Sequence, residues 1–202
     1  MSRKERPSNH EVNRLTREAI CTALILLLNE ESFDKISITH LVQRAGVSRT
    51  AYYSNYSSKQ EILYDLVDKL IEEINQKLLP YTNQSNGKAK YPRELIHVML
   101  EVFDQQRHVY QTLYAAHFNH IILDRLNESM LSQLQNRSEE NIYRILFNAG
   151  ALYNMFSKWI QSNDVLTIDE MTAICLNIYN TPMSNIEIIQ TDLVKEELWN
   201  SE

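Results

Sequence analysis

The segment 37–59, SITHLVQRAGVSRTAYYSNYSSK, limits the possible folds of this chain more than any other stretch. Ser37 suits the N-cap of a short helix over 38–44, where apolar residues recur at helical spacing. Gly46 supplies a left-handed turn without a Cβ penalty, and the serine two residues later can cap a second short helix over 49–55. Two short helices joined by a tight glycine-containing turn form a helix-turn-helix, so the segment predicts that motif.

The residues around this turn follow a recognisable spacing, A-G-V-S and then Y-x-x-F-x-S-K. In this chain the motif is held by Ala45, Gly46, Val47, Ser48, Tyr53, Tyr56, Ser58 and Lys59. On these residues the segment resembles the DNA-binding domain of the TetR (tetracycline repressor) family of bacterial transcription regulators. Tyr56 replaces the family's usual phenylalanine and Val42 its usual alanine, and both keep an apolar body. The match runs from about Leu15 to Leu66, and beyond it the chain resembles the family's all-helical plan only.

The whole sequence predicts an all-α protein. It contains three glycines and four prolines in 202 residues, which favours helices joined by short loops. Helical patterns cover residues 10–29, 92–136 with breaks near 107–109 and 120, 138–162 and 168–179. Two capping boxes, Ser58-Lys59-Gln60-Glu61 and Thr167-Ile168-Asp169-Glu170, open helices, and Pro80 is expected to end the first of them.

These helices divide into a head, a body and a tail. An N-terminal three-helix DNA-binding head with the helix-turn-helix is expected over 10–57, linked by a helix over 58–79. A helical-bundle body for ligand binding and dimerisation is expected over 80–181, followed by a C-terminal tail over 182–202.

Charge is distributed unevenly along the chain. The net charge is −6, yet residues 1–60 hold nine Lys and Arg against six Asp and Glu, which gives +3. Residues 61–202 hold eleven against twenty, which gives −9. A basic N-terminal part on an acidic body directs phosphate attraction to one face.

The exposed side of the second short helix is the expected reader of DNA, because such a helix can enter the major groove. Arg49 can bond guanine through two N–H groups, and Thr50 can contact a base edge or a thymine methyl. The resemblance implies base or groove contacts from Arg49, Thr50 and Tyr52, phosphate contacts from Tyr53 and Lys59, and nearby roles for Ser48 and Thr39. Tyr52, Tyr53 and Tyr56 could instead be core aromatic residues. We accept that interpretation for Tyr56 and reject it for Tyr53.

One short recognition helix offers few contacts, so a dimer on palindromic double-stranded DNA is expected. The last two regular helices carry more apolar surface than one copy readily buries, with Tyr153, Phe156, Trp159 and Ile160 at the centre of the predicted dimer interface. The alternative is that these residues form the core of a single copy. The homodimer prediction rests mostly on the family resemblance.

A small-molecule effector, of unknown identity, is implied by the resemblance to ligand-released repressors. The predicted pocket is lined by Met99, Phe103, Tyr110, Tyr114, His117 and Phe118. Ordinary packing is an equally good interpretation of any one of them. A ligand held there is expected to move the helix that follows Lys59 and so change the distance between two recognition helices.

Enzymatic and metal-binding classes find little support. The sequence lacks a glycine-rich phosphate loop, G-x-S-x-G and H-E-x-x-H, and no cofactor is predicted. His97, His108, His117 and His120 include one i, i+3 pair, but no cysteine or carboxylate cluster completes a metal site.

The expected location is the bacterial cytoplasm, without membrane contact. No apolar run approaches the roughly 20 residues of a membrane span, and no signal-peptide core follows the N-terminus. Repression of transcription is the default function. An activator of the same architecture and a helical protein-interaction module without DNA binding remain alternatives.

Overall fold

The computed structural model describes residues 8–82, 92–162 and 166–180, and every regular element within those ranges is an α-helix. The helices are α1 (Asn9–Leu28), α2 (Ile38–Ala45), α3 (Arg49–Tyr53), α4 (Lys59–Thr82), α5 (Pro92–Gln105), α6 (Arg107–Ala115), α7 (Asn119–Ser132), α8 (Glu139–Gln161) and α9 (Ile168–Asn180). The predicted all-α fold is confirmed. The predicted tail over 182–202 lies outside the described residues.

The helix-turn-helix forms as its local signals predict. Ser37 Oγ accepts the backbone N–H of His40 at 3.0 Å and so caps α2. Gly46 ends that helix with φ of 66°, a conformation that costs other residues roughly 1–2 kcal/mol. Ser48 Oγ accepts the N–H of Ala51 at 3.0 Å and caps α3 two residues later. The turn therefore fixes the angle between α2 and α3.

α1 and the first half of α4 close the core of the head, the unit formed by α1, α2 and α3. The residues buried there are Ile20, Leu24 and Leu27 of α1, Leu41 and Val42 of α2, Tyr52 of α3, and Ile62, Leu63 and Val67 of α4. On α1 they recur at four- and three-residue spacing, which places them on one face. α4 thus belongs to the head at its start and to the body at its end.

The prediction that Pro80 ends α4 is wrong, because the helix continues to Thr82. A proline removes the bond from its own N–H to the carbonyl four residues earlier, here Gln76. So close to the C-terminus this loss affects the last turn alone, and the helix frays there in any case.

The body is built from α5 to α9 around an aromatic cluster. The ring of Phe103 lies 4.8 Å from that of Tyr110 and 4.5 Å from that of Phe156, measured between centroids. The predicted breaks in the 92–136 segment fall at Gln106 and between α6 and α7, where His117 has a φ of 63°. Ser138 caps α8, and Thr167 and Glu170 form the predicted capping box of α9.

The structure corrects the predicted dimer interface. Phe156, Trp159 and Ile160 are 2–3% exposed, and they face the core of their own chain. Tyr153 is half-buried, with its hydroxyl bonded to Asn119. An apolar pattern on α8 does not distinguish a face that meets its own chain from one that meets a partner.

Within the described part of the chain, no helix is both long and apolar enough to cross a membrane.

Candidate nucleic-acid interface

The outer side of the helix-turn-helix carries most of the residues that the sequence predicts to contact DNA. Thr39 on α2 is exposed, as are Ser48, Arg49 and Thr50 at the start of α3. Tyr53 is 56% exposed although its side chain is large and aromatic. These five side chains therefore lie on solvent-facing surface around one turn, where a groove or a phosphate could reach them.

Tyr52 does not belong to this surface, so its predicted DNA contact is corrected. Its side chain is 0% exposed, and its ring packs 5.1 Å from that of Tyr53 and 6.2 Å from that of Tyr56. A side chain enclosed in this way cannot reach a base edge. Burial also raises the pKa of the Tyr52 phenol, whose hydroxyl finds no hydrogen-bond partner among the described residues. Tyr52 instead fixes α3 to the core.

The ammonium group of Lys59 already donates hydrogen bonds within its own chain. Its Nζ donates to the carbonyl of Phe33 at 2.7 Å and to that of Ile36 at 2.6 Å, and it lies 4.5 Å over the Phe33 ring. An ammonium has three N–H donors, so one is left for a phosphate. The observed contacts tie the start of α4 to the segment before α2, a structural role that the sequence did not reveal.

The N-terminus of α4 is less open to an anion than the capping box suggests. Glu61 accepts the backbone N–H of Ser57 at 2.7 Å and also accepts from the Ser57 hydroxyl. These hydrogen bonds lower the pKa of Glu61, so its carboxylate is charged at neutral pH. A negative side chain at this helix end competes with a phosphate for the same positive potential.

A polar cluster joins α1 to α4 beneath the helix-turn-helix. Arg17 donates to Asp65 through two nitrogens, at 2.5 Å and 3.2 Å, and the Tyr56 hydroxyl donates to the same carboxylate at 2.5 Å. Lys69 Nζ lies 3.2 Å from it. Burial alone would raise the pKa of Asp65, but these donors outweigh burial and lower the pKa to about 2. The cluster holds the head on α4.

Sequence reasoning missed Arg17 and Asp65. A signal was present, because Asp65 interrupts the apolar run of Ile62, Leu63, Leu66 and Val67 on α4. A carboxylate in such a position usually has a partner, since an unpaired buried charge is costly. The partner lies 48 residues away, and periodicity alone does not identify it.

Comparison with known proteins shows what this arrangement resembles. No protein-family model matches the chain. It is 29% identical over 101 residues to the HTH-type transcriptional regulator EthR of Mycolicibacterium smegmatis, a match that covers 50% of this chain and 43% of that protein. The matched part is thus less than half the length of this curated relative.

Solved structures extend the likeness to most of the chain. Lin0861 from Listeria innocua superposes with a TM-score of 0.65 over 87% of this chain and 95% of its own, at 15% identity. A TetR transcriptional regulator from Streptococcus agalactiae gives a TM-score of 0.55 over 84% of this chain and 96% of its own, at 20% identity. This chain shares the fold of that TetR transcriptional regulator. The resemblance predicted from the helix-turn-helix residues is therefore confirmed.

In the body, three of the six predicted effector residues share a cavity. Phe103, Tyr110 and Tyr114 line a largely enclosed space of about 20 Å³, together with Ile122, Leu126, Tyr153, Phe156 and other residues. The Tyr110 hydroxyl is buried without a hydrogen-bond partner among the described residues, and burial raises its pKa. The cavity is smaller than a drug-sized ligand needs, so an effector there requires the helices to separate.

The other three predicted effector residues lie elsewhere. Met99 is buried, and His117 is exposed in the turn after α6. Phe118 stacks edge-on against Phe33 at 4.8 Å between centroids and thereby joins the body to the head. Among the described residues, no group of three or more His, Cys, Asp or Glu side chains is placed to hold a metal ion.

Proposed function

We propose that this chain is a sequence-specific DNA-binding transcription regulator that acts as a homodimer and responds to a small-molecule effector. The observation that carries the proposal is the geometry of the Gly46 turn. It exposes Arg49, Thr50 and Tyr53 on one side of α3, while Tyr52 on the other side anchors that helix in the core. The likeness to a relative described as a transcriptional regulator supports the proposal.

Each exposed residue has a distinct role in this proposal. Arg49 reads guanine and Thr50 a base edge or a thymine methyl, which gives sequence specificity. Tyr53, Ser48 and the remaining N–H of Lys59 contact phosphates, which sets position on the duplex and the dependence on salt. The head over 10–57 carries these contacts together with Lys59 at the start of α4, and the net charge of +3 over residues 1–60 favours them.

Dimerisation is proposed through side chains that a single copy leaves exposed. On α8 these are Tyr143 and Phe147, which are 69% and 60% exposed and lie four residues apart. On α9 Ile178 is 54% exposed and Ile174 40%. Large apolar side chains exposed on adjacent turns of a helix are typical of a subunit interface. Two copies joined there would present two α3 helices to a palindromic operator.

α6 connects the body cavity to the head in the proposed response to an effector. Tyr110 and Tyr114 on α6 line the cavity. On the same helix Thr112 Oγ1 donates to Asn29 Oδ1 at 2.9 Å at the end of α1, and Phe118 follows with its contact to Phe33. A ligand that displaces α6 therefore shifts the head as well, and repression by promoter occlusion would be relieved.

The proposal is tested by a mobility-shift titration on the DNA upstream of the chain's own gene, at two salt concentrations. Arg49→Ala is expected to weaken binding by about 10–100-fold, because a bidentate base contact is worth roughly 1–3 kcal/mol. Arg144→Ala is the matched control. That arginine lies on α8, 66% exposed and paired with Glu140, and its loss should leave binding unchanged.

Two outcomes would contradict the proposal. One is equal binding by the wild type and Arg49→Ala. The other is failure of folded wild type to bind either that region or random genomic fragments, which favours the interaction module. Transcription of the neighbouring genes after deletion distinguishes the two modes, since it rises for a repressor and falls for an activator.

A further inference from the structure

A second, larger cavity lies where the head meets the body. It is an open cleft of about 400 Å³ between α1, α4 and the start of α6. Its lining residues are Glu18, Cys21, Thr22, Ile25, Leu26 and Asn29 of α1, Leu66, Lys69, Leu70 and Glu73 of α4, and Gln106, His108 and Val109 at α6. The volume falls in the range of roughly 300–1,000 Å³ that is usual for small-molecule sites.

The floor of the cleft is aliphatic. Ile25, Leu70 and Val109 are 5–6% exposed, and Leu66 is partly buried. Leu26 is 44% exposed on α1, although its side chain is apolar. Covering that surface removes apolar area from water, which favours binding. The cleft therefore favours a ligand with an aliphatic part.

The charges around the cleft leave one cation without a dedicated partner. Glu18 is paired with Arg14 at 2.8 Å, and Glu73 with Lys77 at 3.0 Å. Both carboxylates at the cleft are thus already neutralised by neighbours on their own helices. The remaining charged side chain from α4 is Lys69.

Lys69 shares Asp65 with stronger donors. That carboxylate already accepts two hydrogen bonds from Arg17 and one from Tyr56. Lys69 Nζ forms an ion pair with it at 3.2 Å, so this lysine has only a share of one carboxylate. Arg17 and Lys69 together carry two positive charges against the single negative charge of Asp65, so the group has a surplus of +1.

Cys21 does not compensate for this surplus. Burial raises the pKa of its thiol to about 11, so the sulfur is neutral at physiological pH and does not repel an anion. We propose that the cleft binds a small aliphatic carboxylate, whose acid group pairs with Lys69 and whose chain lies on Ile25, Leu26 and Leu66. The flexible lysine side chain turns from Asp65 to the ligand and so exchanges one carboxylate partner for another.

This site differs from the body cavity in position and chemistry. Its lining residues are different, and it carries an ammonium group in place of a buried phenol. It also lies against the Asn29 end of α1, where Thr112 of α6 attaches to the head. A ligand bound in the cleft would fix the distance between α1 and α6. This regulatory consequence rests on the proposed function, whereas binding itself does not.

Binding is tested by isothermal titration calorimetry of the full chain, without DNA, using three probes of equal chain length. We expect saturable one-to-one binding of octanoate, and binding at least tenfold weaker for octylammonium and for 1-octanol. Octylammonium binding as tight as octanoate would overturn the proposal. The absence of saturable octanoate binding to folded wild type at millimolar concentration would overturn it as well.

Two variants locate the ligand by independent means. Lys69→Met should weaken octanoate binding at least tenfold, whereas Lys158→Met should not, because Lys158 is exposed on α8 and does not line the cleft. Leu26→Trp should block binding by filling the cleft from a position that is exposed to solvent. Octanoate affinity within twofold of wild type in folded Lys69→Met or folded Leu26→Trp contradicts the assignment.

The regulatory consequence has a separate readout. Saturating octanoate should change the operator affinity of wild type severalfold and leave that of Leu26→Trp unchanged. Octanoate binding without any operator binding would contradict the proposed function but leave the carboxylate site intact. Operator binding without octanoate binding would contradict the carboxylate site but leave the proposed function intact.

Discussion

Replacement of Phe156 by alanine is expected to lower the free energy of unfolding by about 3–5 kcal/mol, the usual cost of removing a buried aromatic ring. The side chain is 2% exposed, and its ring packs 4.5 Å from that of Phe103. It also borders the small body cavity, so the deletion enlarges an existing void that the helices do not close. Urea denaturation followed by circular dichroism measures the loss.

Phe147→Ala on the same helix is the matched control. Its side chain is 60% exposed, and within one copy its removal should change stability by less than about 0.5 kcal/mol. If Phe147 lies in the dimer interface, its variant loses stability at high protomer concentration but not at low concentration, because dimerisation stabilises by mass action. The Phe156→Ala loss should be the same at every concentration. A loss of stability that depends on protomer concentration in Phe156→Ala, and not in Phe147→Ala, would favour the dimer interface predicted from sequence.

Replacement of Asp65 by asparagine is expected to cost about 2–3 kcal/mol at neutral pH. Breaking a buried ion pair costs roughly 3–5 kcal/mol, and we take a smaller figure because the Arg17 side chain is 39% exposed and partly screened by water. The Asp65 carboxylate itself is 11% exposed. Its loss leaves the positive charges of Arg17 and Lys69 without their common partner.

The effect of Asp65→Asn should depend on pH in a defined direction. Its pKa is about 2 in the folded chain, below the ordinary value of 3.8, so ionised Asp65 stabilises the fold above pH 3.8. This contribution is lost as pH falls from 3.8 through 2. The difference in unfolding free energy between wild type and variant should therefore shrink over that window. A difference that stays constant from pH 5 to pH 2 would contradict the assigned role.

Asp68→Asn provides the control for this experiment. Asp68 lies three residues along α4, is 52% exposed and pairs with Arg125 at 3.2 Å. An exposed pair of this kind contributes about 0–1 kcal/mol. An equal loss in both variants would show that the measurement reports a general effect of charge on α4 and not the Arg17–Asp65–Tyr56 cluster.

The helix-turn-helix and most helix starts could be predicted because their signals are local. The hydroxyl oxygens of Ser37, Ser48 and Ser138 each accept the backbone N–H three residues ahead. Gly46 adopts a left-handed conformation, which its missing Cβ permits. Caps and left-handed turns depend on residues within one helical turn, so the sequence contains their whole cause.

Burial between distant elements could not be predicted in the same way. Tyr52 and Tyr53 are adjacent in sequence and chemically identical, yet one is fully buried and the other is 56% exposed. The difference arises from α1 and α2, which pack against one side of α3. Likewise the carbonyls that occupy Lys59 belong to Phe33 and Ile36, more than 20 residues earlier. The periodicity of apolar residues predicts which face of a helix is buried, but tertiary packing determines which residues cover that face.

α6 and the turn after it attach to the head at two separate points, Thr112 to Asn29 and Phe118 to Phe33. A rigid unit held to another at two points keeps one rotational degree of freedom, about the line that joins them. These two contacts by themselves leave the head one axis of tilt against α6, and the Arg17–Asp65–Tyr56 cluster ties the same head to α4. An effector that displaces α6 in the proposed way would therefore have to move the head against its attachment to α4 or move α4 with it.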